Sequence, residues 1–231
     1  WSARRGRRPH HRGRARRDRR NAALALDEHH DAHAPVTEHA RGKVPANAWF
    51  VFACSFMLMG ASQCVSITFG PWFEDEFNFT SGGLIAIVIV LGVFELASSI
   101  GSSRVTDGWG KEISVRRGVI MMVIAGVAMS AGSHISVIAI PMLVLFIAGF
   151  EFALVSMLPL ATHLVPKRPG SGLGLVFGAG TLGRGVMSLV ATRAYESSNG
   201  IALPAIIGST SAAVATILIY QYHRRGGLVH E

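Results

Sequence analysis

Six apolar stretches, each close to the length of a bilayer crossing, dominate this chain: residues 49–68, 82–103, 118–133, 135–157, 171–190 and 201–220. A hydrocarbon core about 30 Å thick needs about 20 helical residues at about 1.5 Å each, which five of the stretches supply and 118–133 nearly does. The only Asp, Glu, Lys, Arg or His residues within them are Glu95, Glu151 and Arg184. The pattern predicts an all-α polytopic membrane protein with six transmembrane helices over residues 47–223, embedded in the lipid bilayer. Nothing in it points to an enzyme or a cofactor.

Orientation follows from the connections. On one side they hold Arg104, Lys111, Arg116 and Arg117, then Lys167 and Arg168, then Arg224 and Arg225 in a tail of residues 224–231; on the other side they hold only Arg193. Short cytoplasmic loops concentrate Lys and Arg, so both termini are expected to be cytoplasmic, in a cell inner membrane, with 71–80 and 193–200 outside. The first outer loop carries the acidic run Glu74-Asp75-Glu76. Trp49 and Tyr222 on the inner side, and Trp72 and Phe73 on the outer, fall where amphipathic rings favour headgroup depth.

Charge is concentrated in residues 1–46. Twelve of the 22 Lys and Arg but only five of the 14 Asp and Glu precede residue 44, so that segment carries +7 of the formal net charge of +8. The remainder is nearly neutral, and the overall pI near 10.5 belongs to the tail. Its Arg-rich and His-rich parts lack the apolar residues to build a core and are expected to be disordered. An Arg cluster beside a membrane could attract anionic lipid or nucleic acid, and His29, His30, His33 and His39 could hold a metal. The plainer reading is a solvated linker with no nucleic-acid partner and no metal. Cys54 and Cys64, ten residues apart in one helix, are separated by about 15 Å, too far for a disulfide, and read as small packing residues.

The charges inside the membrane carry the functional signal. A centred charge costs about 2.5–3.5 kcal/mol on insertion scales, so such groups face a bundle interior or a wet cavity. Arg184 shares a small, polar stripe with Gly180, Thr181, Ser188 and Thr192; Glu95 shares a face with Gly92, Ser99 and Ser102; Glu151 follows Gly149 in an otherwise apolar helix. Either the three lock helices together or they bind and couple a transported solute. The fifth stretch also holds six glycines, including the small-xxx-small pair Gly174 and Gly178, which lets helices approach closely.

Between the second and third stretches the chain reads Ser103-Arg-Val-Thr-Asp107-Gly108-Trp109-Gly110-Lys111. This resembles the signature loop of the major facilitator superfamily, with Asp107, Gly110 and Lys111 matching. Gly108 stands where a basic residue is usual, Ser103 where Gly is usual, and Glu112 at the second basic position. Further segments resemble the carboxy-terminal half of bacterial sugar-efflux and drug:proton antiporter members: Phe69-Gly-Pro-Trp-Phe-Glu-Asp-Glu-Phe77, Phe94-Glu95-Leu96, Gly149-Phe-Glu151-Phe152 and Pro159-Leu-Ala-Thr-His-Leu-Val-Pro166.

The resemblance implies two inverted three-helix repeats, a missing amino-terminal six-helix half or a second copy as partner, and 1–46 as the inter-half linker. It implies alternating-access transport of a small organic solute, with the proton as coupling ion and Glu95, Glu151 and Arg184 as coupling candidates. Asp107 would meet the dipole of the helix beginning at Ser171-Gly172, with Lys111 or Arg116 holding the loop. The alternative is a non-transporting scaffold or regulatory half-protein.

Overall fold

The computed structural model describes residues 44–165 and 168–226, and their regular structure is entirely helical. The Arg- and His-rich residues 1–43, Pro166, Lys167 and residues 227–231 lie outside the described residues. The helices are α1 (Ala48–Ser66), α2 (Phe69–Phe77), α3 (Ser81–Trp109), α4 (Lys111–Ala131), α5 (Ser136–His163), α6 (Pro169–Ser198) and α7 (Ala202–Arg224). Six segments are long and apolar enough to cross a membrane, α1 and α2 together forming the first.

Two boundaries differ from the sequence expectation, each for a local reason. The segment 71–80, expected as an outer loop, is mostly helix: α1 breaks at Ile67-Thr68 and resumes as α2. Pro71 is tolerated because it sits in the first turn of α2, where its missing N–H would have no helical acceptor. Asn78 ends α2 in the left-handed conformation, which Asn tolerates better than most residues. At the other end the signature loop is helical through Trp109, and the turn narrows to Gly110, whose φ of +89° is open to glycine and strained for other residues. A single residue therefore separates α3 from α4, and Arg104, Lys111, Arg116 and Arg117 all lie on helix ends.

Packing reveals the internal symmetry. Helix α1 packs mainly on α6 and α7; α5 packs mainly on α3 and α4; α4 and α7 pack on each other. Exchanging the triplet α1, α3, α4 for α5, α6, α7 maps the α1–α6 contact onto α5–α3, the α1–α7 contact onto α5–α4, and α4–α7 onto itself. The two triplets begin on opposite sides of the membrane, so the repeat is inverted, as expected.

Glycine makes the tightest seams. A Cβ on Gly118 would lie 2.7 Å from the Gly149 carbonyl oxygen, and one on Gly149 would lie 2.9 Å from that of Gly118, so α4 and α5 meet backbone to backbone. On α6, Gly183 abuts the Phe56 carbonyl of α1, and beside it the Ser55 hydroxyl donates to the Val176 carbonyl at 2.7 Å. In lipid, where apolar side chains gain little from leaving their surroundings, such close contact is a main source of helix association. Cys54 and Cys64 are free and buried, as packing residues would be.

The aromatic positions divide. Trp49 is 71% exposed, as an interface anchor should be. Trp72, Phe73 and Tyr222 are instead buried within the bundle. Trp72 donates its indole N–H to the Ser133 carbonyl at 3.2 Å, tying α2 to the end of α4. Tyr220, two residues before Tyr222, takes the outward position.

Candidate functional site

The two least buried spans are α3 and α6. Both touch α5, and the three helices form one open face. The membrane charges gather there: Glu95 on α3 and Arg184 on α6 are exposed, and Glu151 on α5 is half-buried. Both Glu95 and Arg184 lie within electrostatic range of Glu151, and the Arg184 guanidinium carbon sits 5.8 Å from the centre of the Phe150 ring. No ion pair within 4 Å joins Arg184 to either carboxylate among the described residues. The structure thus brings the three residues into one neighbourhood without locking them together.

Beside them is a cleft of about 490 Å³ between α3 and α5, walled by apolar side chains including Phe94, Pro141, Leu145 and Ala148. Phe94 precedes Glu95 in the chain, and Ala148 is one helical turn from Glu151. Pro141 cannot donate to the carbonyl one turn behind it and so loosens α5 at the cleft.

Toward the basic end, a buried hydroxyl chain joins α3 to α5. The Ser102 hydroxyl donates to the Phe152 carbonyl at 3.1 Å. Its single hydrogen is thereby used, so Ser156 donates to Ser102 at 2.7 Å and Thr106 to Ser156 at 2.9 Å. Sequence reading placed Ser102 on the face of Glu95 but missed Thr106 and Ser156. The i, i+4 spacing of Ser102 and Thr106, and a hydroxyl inside the apolar run of α5, were the available signals.

The signature-loop residues are spread over the ends of α3 and α4. Asp107 is exposed, and among the described residues it takes no side-chain hydrogen bond or ion pair. Gly172 packs on the Ala161 carbonyl of α5, so the start of α6 meets α5 there. Lys111 Nζ lies 3.4 Å from His163 Nδ1, which is itself 2.6 Å from the Pro159 carbonyl. Arg116 and Arg224 each approach Tyr220, Arg117 covers Trp109 at 3.9 Å, and Arg225 covers Phe50 at 4.7 Å. Glu112 pairs with His223.

The acidic run Glu74-Asp75-Glu76 also finds partners. Tyr195 of α6 donates its hydroxyl to Asp75 at 2.7 Å, and His134 pairs with Glu76 at 2.8 Å. No group of three or more His, Cys, Asp or Glu side chains among the described residues could hold a metal ion.

The chain matches no curated protein and no solved structure. The sequence profile of the Major Facilitator Superfamily, by contrast, matches residues 3–188, well over half of the chain and all of its first four spans. Six spans in two inverted triplets fit half of that family's architecture, and by this match and this fold the chain belongs to the Major Facilitator Superfamily of transporters.

Proposed function

We propose that the chain forms half of a proton-coupled efflux transporter that moves a small organic solute by alternating access, of the kind its sugar-efflux and drug:proton antiporter resemblance implies. The observation that carries this reading is the meeting of Glu95, Glu151 and Arg184 on the open α3–α5–α6 face beside an apolar cleft. A carboxylate that alternates between wet and dry surroundings, and between a near and a distant guanidinium, changes its affinity for a proton. Glu151 is the principal group in this scheme, Glu95 the second, and Arg184 the countercharge. The apolar wall offers few partners for sugar hydroxyls, which favours an amphiphile over a sugar.

The open face is covered by a second six-helix bundle, either the amino-terminal half, with residues 1–46 as the linker to it, or another copy. The basic ends of the helices face the cytoplasm of a cell inner membrane. Asp107 and Lys111 act at that side on the balance between inward- and outward-open states, with Gly110 as the pivot between α3 and α4. In proteoliposomes of the full protein, a pH gradient should drive movement of a lipophilic fluorescent cation such as ethidium. Glu151→Gln should abolish that coupling while ethidium binding persists; undiminished coupling would reduce Glu151 to a structural role.

A further inference from the structure

The basic end of the α4–α7 pair carries a feature the transport reading does not use. Helix α4 contributes Glu112, Ile113 and Arg116, and α7 contributes Ile219, Tyr220 and His223, to a shallow notch between them. The guanidinium carbons of Arg116 and Arg224 each lie 5.9 Å from the centre of the Tyr220 ring. Two like charges thus converge on one half-exposed ring. The carboxylate in the notch, Glu112, is taken by His223, and among the described residues neither Arg116 nor Arg224 has an ion-pair partner. Such an arrangement is relieved by an anion, and a guanidinium fork matches phosphate oxygens two at a time.

The surroundings identify the source of the phosphate. One and two turns from Arg116 along α4 stand Ile120 and Ile124, and one turn from Tyr220 along α7 stands Ile217; these three are 40%, 59% and 58% exposed. They form an outward apolar track that begins at the guanidiniums and runs into the depth of the membrane. A free phosphate has no use for that track, whereas an acyl chain does. Basic pockets between membrane helices at the headgroup level are suited to anionic lipids.

We propose that this notch is a binding site for an anionic phospholipid. Arg116 and Arg224 grip its phosphodiester, the Tyr220 hydroxyl donates a further hydrogen bond, and an acyl chain lies along Ile120, Ile124 and Ile217. The inference is independent of the transported solute and of proton coupling, and needs only that this end of the bundle lies at a membrane surface.

Native mass spectrometry of the full chain, released from micelles containing phosphatidylglycerol and phosphatidylcholine in equal amounts, tests it. The unaltered chain should retain phosphatidylglycerol selectively. The double variant Arg116→Gln, Arg224→Gln should lose about thirty-fold in that preference, at roughly the attraction expected per charge near a membrane surface. Arg193→Gln at the opposite end should leave it intact. The double variant Arg116→Lys, Arg224→Lys preserves the charge and guards against a folding defect; once folded, it should hold phosphatidylglycerol more weakly than the unaltered chain because the fork is gone. Millimolar inorganic phosphate should not displace the lipid. Equal retention of the two lipids, an undiminished preference in either double variant, or displacement by inorganic phosphate would overturn the proposal.

Discussion

Replacing Gly183 with Ala probes whether the α1–α6 seam is fixed by backbone contact. The new Cβ would lie 2.8 Å from the Phe56 carbonyl carbon and 3.0 Å from its Cα, and closer still to the carbonyl oxygen. These are backbone atoms, so relief requires α1 and α6 to separate until the contacts approach the ordinary 3.4–4 Å range. Overpacking of this kind costs about 1–3 kcal/mol. The separation also stretches the 2.7 Å bond from Ser55 to the Val176 carbonyl, adding about 0.6 kcal/mol for an interhelical hydrogen bond in a membrane. The expected destabilisation is about 2–3 kcal/mol. Gly185→Ala, two residues along the same helix, is the matched control, because its Cβ would meet nothing within 4 Å. Thermal or detergent denaturation of the full chain in micelles, followed by circular dichroism, should show a clear drop in midpoint for Gly183→Ala and little change for Gly185→Ala. Equal midpoints for the two variants would refute the account of the seam.

Ser156→Ala should remove the middle of the hydroxyl chain, freeing the Thr106 and Ser102 ends and loosening α3 on α5 by about 1 kcal/mol at about 0.6 kcal/mol per interhelical bond; faster amide exchange in the basic half of α3 would report it, and unchanged exchange would show the chain to be incidental. Asp107→Asn in the full transporter should alter the rate of transport while leaving insertion and helix content intact; normal flux would make Asp107 an ordinary surface acid. In intact cells an impermeant maleimide should label Asp75→Cys and not Arg104→Cys, and the reverse pattern would invert the orientation. Tyr195→Phe removes the bond to Asp75 and should increase proteolysis near the outer end of α6, with no change expected at the basic end.

Legibility in the sequence followed the range of the interaction concerned. The number of spans was legible because hydropathy over about 20 residues is dictated by the bilayer itself, whereas the inverted repeat entered only through the family resemblance. Glu95, Glu151 and Arg184 stood out because a charge in hydrocarbon demands an explanation. Their convergence did not, since it depends on how α5 sits between α3 and α6. The ends of helices were also hidden: aromatic content marked Trp72, Phe73 and Tyr222 as interface residues, yet their side chains are buried. Hydropathy reports depth along the membrane normal and is blind to the direction in which a ring points around the helix. The length of the connection between α3 and α4 was overestimated because the basic residues that signal a loop are equally at home on a helix end, where their long stems reach the surface.

The fifth span illustrates what a stripe of small residues can and cannot say. At about 100° per residue, Gly172, Val176, Gly180, Gly183 and Met187 fall within about 80° of one another on the α6 cylinder, and the glycines among them abut α5 or α1. Gly174, Gly178, Gly185, Ser188 and Thr192 occupy the opposing arc, where a Cβ on any of these three glycines would meet open space. The linear sequence interleaves the two sets, so Gly180 reads as part of the Arg184 stripe although it lies at the packed edge of that stripe, against Ser55 and Met59. On the open arc the Ser188 and Thr192 hydroxyls donate to the carbonyls of Arg184 and Ser188 at 2.9 Å each, and so need no neighbour. Lipid tails gain nothing from glycines and hydroxyls, whereas a second helix does. The sequence feature that looks like one motif is therefore two surfaces, one already used within this bundle and the other suited to the second bundle proposed above.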